Sequence, residues 1–143
     1  MKRIVMCAGL VVALVFAATA FAATRHFSGT VQGGGTVSFA TTFENGKTKS
    51  VKLPLKFNAV PISCDQGDTT LNYSLTGTTL KVTNRKFSFV STPGGASTAR
   101  ITGTFTNKGK NANGTFRDRG TFAGGAATGC DTGTVNWTAH KVS

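Results

Sequence analysis

The sequence predicts an all-β domain. The expected form is a single antiparallel β-sandwich, or alternatively a flattened β-barrel, of about nine or ten short strands with one disulfide. Three observations predict it. Apolar residues recur at every second position along most of the chain, which is the period of a half-buried strand. Clusters of Gly, Pro, Asn and Thr interrupt these runs at short intervals, as turns do in sandwiches and barrels. Beyond the N-terminal segment no window keeps helical periodicity over three turns, and Gly and Thr are too abundant for one.

Phe27, Gly29 and Val31 share one face of the first run. Val37, Phe39, Thr41 and Phe43 alternate in the second. Asn45-Gly46 follows, and Asn-Gly between alternating runs is a strong hairpin signal. Val51, Leu53, Leu55 and Phe57 share a face of the third run, with Lys52, Pro54 and Lys56 opposite. Pro54 cannot donate to a ladder, which predicts an edge there or pairing on one side only. After Asn58 the phase flips, so that Val60, Ile62 and Cys64 align. A shift by one residue predicts a bulge or bend near Asn58-Ala59.

Leu71-Tyr73-Leu75, Leu80-Val82, Phe87-Phe89, Ile101-Gly103-Phe105, Phe116 and Val135-Trp137-Ala139 mark the remaining strands. The stretch 107–113, carrying Lys108 and Lys110, reads as an exposed loop. Gly-Thr followed by Phe or Val occurs six times, at Gly29, Gly35, Gly103, Gly114, Gly120 and Gly133. On a strand this word turns Gly inward and Thr outward. An inward Gly leaves room for a neighbouring aromatic ring or for tight sheet coiling. The expected core is Phe27, Phe39, Phe57, Leu71, Tyr73, Phe89, Ile101, Phe105, Phe116 and Trp137.

Residues 1–22 read as a secretory signal peptide, and residues 23–143 as the secreted domain. Met1-Lys2-Arg3 is a short positive start, 4–16 is an apolar run, and Ala20-Phe21-Ala22 supplies small residues where a signal peptidase reads them. The rival reading is an uncleaved anchor, because from Ile4 to Ala23 only Thr19 is polar. The Ala-x-Ala site, with no basic stop-transfer cluster after it, favours cleavage. The product would be periplasmic or external, with no membrane insertion.

Cys7 lies inside that leader. The mature chain then holds two thiols, Cys64 and Cys130, with one way to pair in an oxidising compartment. Cys64 should end one strand and Cys130 should open the last. Their bridge would close a loop of roughly 67 residues, worth ~4 kcal/mol in the chain-entropy model. It would also gather Asp65, Asp68 and Asp131 at one corner. These carboxylates are a weak calcium candidate, since calcium takes carboxylate and carbonyl oxygens. The preferred reading is that each Asp caps a turn in which Gly takes positive φ. No other cofactor is implied.

Catalytic ingredients are thin. His26 and His140 are the only histidines, and no nucleophile elbow or metal-binding His spacing is present. The chain therefore reads as non-enzymatic. A small hydrolase using a His near the cystine corner, or a barrel enclosing a small apolar ligand, stand as alternatives.

Charge points to acidic partners. The full chain has 16 basic and 5 acidic side chains, a formal charge of +11, and loss of the leader removes only Lys2 and Arg3. Lys47, Lys49, Lys52, Lys56, Lys108, Lys110, Arg117 and Arg119 are the candidate polyanion-binding set, for an anionic polysaccharide or cell-envelope polymer. Plain solubility is the competing explanation of that charge. Specific nucleic-acid binding is not expected, because the aromatic residues lie on the inward phase and single-strand binders stack bases on outward rings.

Cys130-Asp131-Thr132-Gly133 followed by Trp137-Thr138-Ala139, with Gly114-Thr115-Phe116-Arg117 before it and Val60-Pro61-Ile62-Ser63-Cys64 near the middle, resembles a group of small secreted bacterial proteins of unknown function. These end in a similar Cys-Asp-x-Gly, then Trp-Thr/Ser-Ala, signature. The resemblance implies a secreted all-β domain with the same cysteine pair. It implies no activity, cofactor or catalytic residue.

Overall fold

The computed structural model describes residues 21–77, 79–91 and 94–143. Residues 1–20 of the expected leader, Cys7 among them, lie outside that range. Ten strands are present: β1 (Ala23–Val31), β2 (Thr36–Glu44), β3 (Lys47–Cys64), β4 (Gly67–Leu75), β5 (Leu80–Lys81), β6 (Lys86–Val90), β7 (Ser97–Thr106), β8 (Asn111–Phe122), β9 (Ala127–Asp131) and β10 (Val135–Lys141). Short 3₁₀ turns at Asn107–Gly109 and Ala123–Gly125 are the only helical pieces among the described residues. No helix there is long and apolar enough to cross a membrane.

Every strand pairing is antiparallel, and the flattened barrel is the form the sheet takes. β1, β2, β3, β9, β8 and β10 pair in sequence, and β10 returns to β1, closing a ring. β4 and β5 extend the free edge of β3, and β7 and β6 extend β8. Closure is uneven. β7 pairs with β8 along its whole length, whereas β3 meets β9 through one backbone pair, Ser63 with Asp131. Cys130 sits in β9, next to last, rather than opening the final strand. Asp131, the Thr132-Gly133 turn and Thr134 separate it from β10.

The local signals are realised with few changes. Asn45-Gly46 forms the β2–β3 hairpin, both residues at positive φ. The expected bulge is where β3 and β4 slip register between Phe57 and Val60, with Ala59 at φ 54°. Pro54 lies at a second irregularity, between the Ala40–Lys52 and Ser38–Lys56 pairs. On the other side of β3 it falls in the gap between β5 and β4, so no ladder needs its missing N–H. The expected loop at 107–113 is shorter than predicted. Ala112 is buried, paired with both Phe105 and Ala139, while Asn111 and Asn113 face outward, so β8 begins at Asn111. Polar residues on the outward phase had disguised a strand.

The barrel is filled by rings. Phe27 stacks on Phe39 at 5.0 Å, and Phe57 on Phe116 at 4.2 Å. Trp137 stands between them, with its edge or tilt toward Phe39, Phe57 and Phe87 at 5.9–6.3 Å. Seven of the expected core residues are fully covered; Leu71, Tyr73 and Phe89 are half-buried against the same cluster. Two inward glycines make this packing feasible. A Cβ on Gly103 would overlap the Phe87 ring, and one on Gly114 would meet Trp137 and the backbone of Thr102.

Candidate functional site: a basic barrel end opposite a cystine corner

The ten strands carry most of the charge to opposite ends. At the end defined by the Asn45-Gly46 hairpin, β1 contributes Arg25 and the hairpin contributes Lys47 and Lys49. Lys81 pairs with Ser50, Lys86 with Thr104, and Arg85 lies in the turn between β5 and β6. Lys108 and Lys110 lie between β7 and β8, and Lys141 donates its backbone N–H to the Lys110 carbonyl. Glu44 is the one acidic side chain there among the described residues. Asp65, Asp68, Asp118 and Asp131 are all placed toward the other end.

Lys47, Lys49, Arg85 and Lys108 line one cleft of about 490 Å³, floored by Val82 and Phe105. The Asn45-Gly46 hairpin and two further turns shape it. Asn84-Arg85 forms a tight connection with both residues at positive φ, carried between a Thr83–Lys86 bridge. Asn107 and Lys108, also at positive φ, swing the β7–β8 connection over the barrel end. Gly109 then packs beside Thr48, Phe43 and Arg25, so a side chain there would strike the Thr48 hydroxyl. Arg25 is anchored, its guanidinium carbon 3.1 Å from the centre of the Phe43 ring and Nη1 donating to the Gly109 carbonyl. The four cleft cations make no side-chain hydrogen bond or ion pair among the described residues.

The candidate set predicted from sequence thus divides. Lys47, Lys49 and Lys108 meet at the cleft, with Lys110 beside them. Lys52 and Lys56 stand on the outer wall of β3, where Lys52 Nζ donates to Thr24 Oγ1. Arg117 and Arg119 lie on the outer face of β8. Arg85 was missed, although Asn84 is a turn signal and a basic residue follows it.

At the opposite end Cys64 and Cys130 are joined. Such a bond is compatible with an oxidising compartment. Polar contacts continue the join: Asp65 N–H donates to the Thr128 carbonyl, the Gln66 amide exchanges two hydrogen bonds with Thr128, and the Thr128 hydroxyl donates to Asp65. Asp68 accepts from the Ser63 hydroxyl at 2.6 Å. Asp131 takes both arms of Arg117 and caps its own turn, accepting from Gly133 N–H, with Gly133 at φ 65°. The Arg117 hydrogen bond, with the Gly133 amide and nearby Arg119 assisting, holds the Asp131 carboxyl below the usual carboxylate range. The three candidate calcium ligands therefore each serve a different structural partner. No group of three or more His, Cys, Asp or Glu is placed to hold a metal among the described residues.

The histidines are on β1 and β10, neither of which is part of the β3–β9 join. Both are exposed, and neither imidazole makes a side-chain hydrogen bond among the described residues. The Phe set packs against itself in the barrel interior.

Asp118 is the ionisable group that sequence reasoning passed over. It shares the inward phase of β8 with Ala112 and Phe116 and is fully buried. Neither carboxylate oxygen completes a hydrogen bond among the described residues. Burial raises its pKa, and the nearby Ser97 hydroxyl and Arg119 backbone N–H, which do not complete hydrogen bonds to it, offset the rise only in part. The neighbouring Tyr73 hydroxyl is pushed up to about 12, by burial first and by Asp118 second. An inward position between two arginines in sequence was the available signal.

Comparison with protein-family models, with characterised proteins and with solved structures finds no match.

Proposed function

We propose that this protein is an extracytoplasmic, non-enzymatic binding module that holds an anionic polymer at the basic end of its barrel. The observation that carries the reading is the gathering of Lys47, Lys49, Arg85 and Lys108 around one cleft, with the aspartates kept at the far end. Charge kept on for solubility alone has no reason to segregate. A concentrated positive field raises the local concentration of a polyanion and steers it in. Four lysine and arginine heads with no partner of their own can each take a carboxylate or ester oxygen without first breaking an ion pair.

Export is supported by the leader-like N-terminus, by β1 opening at Ala23 just after the expected cut, and by the cystine. The resemblance to small secreted bacterial β-domains agrees with this placement.

Retention on an immobilised acidic polysaccharide tests the function. The protein should bind at low salt and elute as salt rises, because exposed charges are screened. Lys47→Glu/Lys49→Glu/Lys108→Glu should abolish retention, while Lys52→Glu/Lys56→Glu on the outer wall should retain most of it. Equal loss from both variants would mean that net charge, not the cleft, governs binding. No retention of the unaltered protein would reject the proposal.

A further inference from the structure

A second cationic feature lies on a different wall and does not depend on the polymer reading. Arg100 on β7 stands directly opposite Arg117 on β8, and Arg119 stands opposite Thr98. Like charges directly opposite each other across a ladder are unfavourable. A fold under no other constraint would avoid the pairing or neutralise it. Here a single carboxylate serves the group: Asp131 lies opposite Arg119 across the β8–β9 ladder but gives its side-chain contacts to Arg117. Asp131 takes Arg117 through Nε and Nη2, and its remaining capacity goes to the Gly133 amide. The guanidinium groups of Arg100 and Arg119 make no side-chain hydrogen bond among the described residues.

Between these groups the sheet surface is a shallow concavity of about 390 Å³, whose other lining is hydroxyl: Thr98, Thr102, Thr115 and Thr134. Thr102 and Thr115 share a hydrogen bond at 2.7 Å, and the Thr115 amide donates to Thr102, which fixes both side chains. Because β7 and β8 pair over ten successive residues with no register shift, the backbone positions from which Arg100 and Arg119 project are fixed relative to each other. The surface therefore offers two forks of N–H donors, a third held back by Asp131, and a floor of hydroxyl donors, without a lysine among them.

We propose that this face binds a single tetrahedral oxyanion, a phosphate or sulfate group, between Arg100 and Arg119. Arginine forks match such groups by donating in pairs. A tetrahedral anion can present oxygens to two forks and a threonine hydroxyl together, whereas a carboxylate has only two oxygens and Asp131 already occupies that geometry at Arg117. The group can arrive as a free ion or as an ester on a larger molecule.

Amide chemical shifts of the full mature protein, titrated with inorganic phosphate and sulfate against chloride at matched ionic strength, test the site. Saturable shifts centred on Arg100, Thr115 and Arg119 are expected. In Arg100→Gln/Arg119→Gln the affinity should fall by about tenfold for each guanidinium lost. Lys47→Gln/Lys49→Gln, at the other feature, should leave it unchanged. Saturable shifts at this face with dextran sulfate but not with the inorganic ions would assign the site to ester groups; shifts with the inorganic ions would assign it to free anion. Shifts that are linear in concentration, spread over the molecule and unaltered in the arginine variant would show only the general exclusion effect of such salts and overturn the proposal. Mapping on the unaltered protein keeps it open to refutation even if the double variant folds poorly.

Discussion

Cys64 is bonded to Cys130 at the narrowest join of the barrel, directly beside the one backbone pair that links β3 to β9. Elsewhere the ring is closed by ladders of several pairs. At this point a covalent bond and the Asp65, Gln66 and Thr128 contacts do what hydrogen-bonded strands do in the rest of the molecule. The cystine is thus a closure device as well as a restraint on the unfolded chain.

Replacing both cysteines by alanine should lower unfolding free energy by about 4 kcal/mol, the loop-closure value for this separation. Amide exchange gives the more specific readout. β9 and the β3–β4 hairpin should lose protection well before β7 and β8. Uniform loss across all strands would show that the bond acts on the unfolded state alone.

Asp118 predicts an unusual pH dependence. Its folded pKa is raised, so the fold prefers the protonated acid. Its contribution is fully present below the ordinary carboxylate pKa and is lost as pH rises through the raised folded value. Asp118→Asn should therefore be more stable than the parent at pH 7, by about 1–2 kcal/mol. That advantage should shrink toward pH 3. Urea unfolding at several pH values decides it; an Asn variant that is less stable at pH 7 would mean the charged carboxylate has a partner.

Asp131 works with the opposite sign. Its folded pKa is depressed, so its stabilisation is present above the ordinary carboxylate value and is lost as pH falls through the lowered one. Both partners are more than a third exposed, so solvent screens the pair. Asp131→Asn should cost about 0.5–1 kcal/mol at pH 7 and nothing in strong acid. A cost that persists in strong acid would assign the effect to the turn cap instead.

Gly103→Ala should destabilise by about 1–3 kcal/mol, because the new methyl group overlaps the Phe87 ring and the core must shift. Phe87→Leu in the same chain should recover part of the loss. Thermal unfolding of the two variants measures this. A Gly103→Ala protein as stable as the parent would show that Phe87 has room to move.

Much of this was legible in the sequence because strand physics is local. Period-two burial, the Asn45-Gly46 turn, the phase flip at Ala59 and the inward Gly of the Gly-Thr word each follow from a few consecutive residues. The cystine was legible because, with Cys7 assigned to the expected leader, the two remaining thiols allow one pairing. The stretch 107–113 was misread because outward Asn and Lys look alike in a loop and on the wet face of a strand. Arg85 was passed over although Lys81 and Lys86 flank it in sequence, and Arg100 because the arginines beside it come from the next strand.

What the chain determines on its own is the all-β class, the turns and bulges, and which side of each strand is dry. Whether the sheet closes, and where it is weakest, was left to pairing between distant strands, since no local pattern matches Ser63 with Asp131 or β10 with β1. The same holds for charge. Alternation says that a lysine faces water, but only the register of ten strands decides which lysines share a cleft, which arginines oppose each other, and that Asp118 is shut inside.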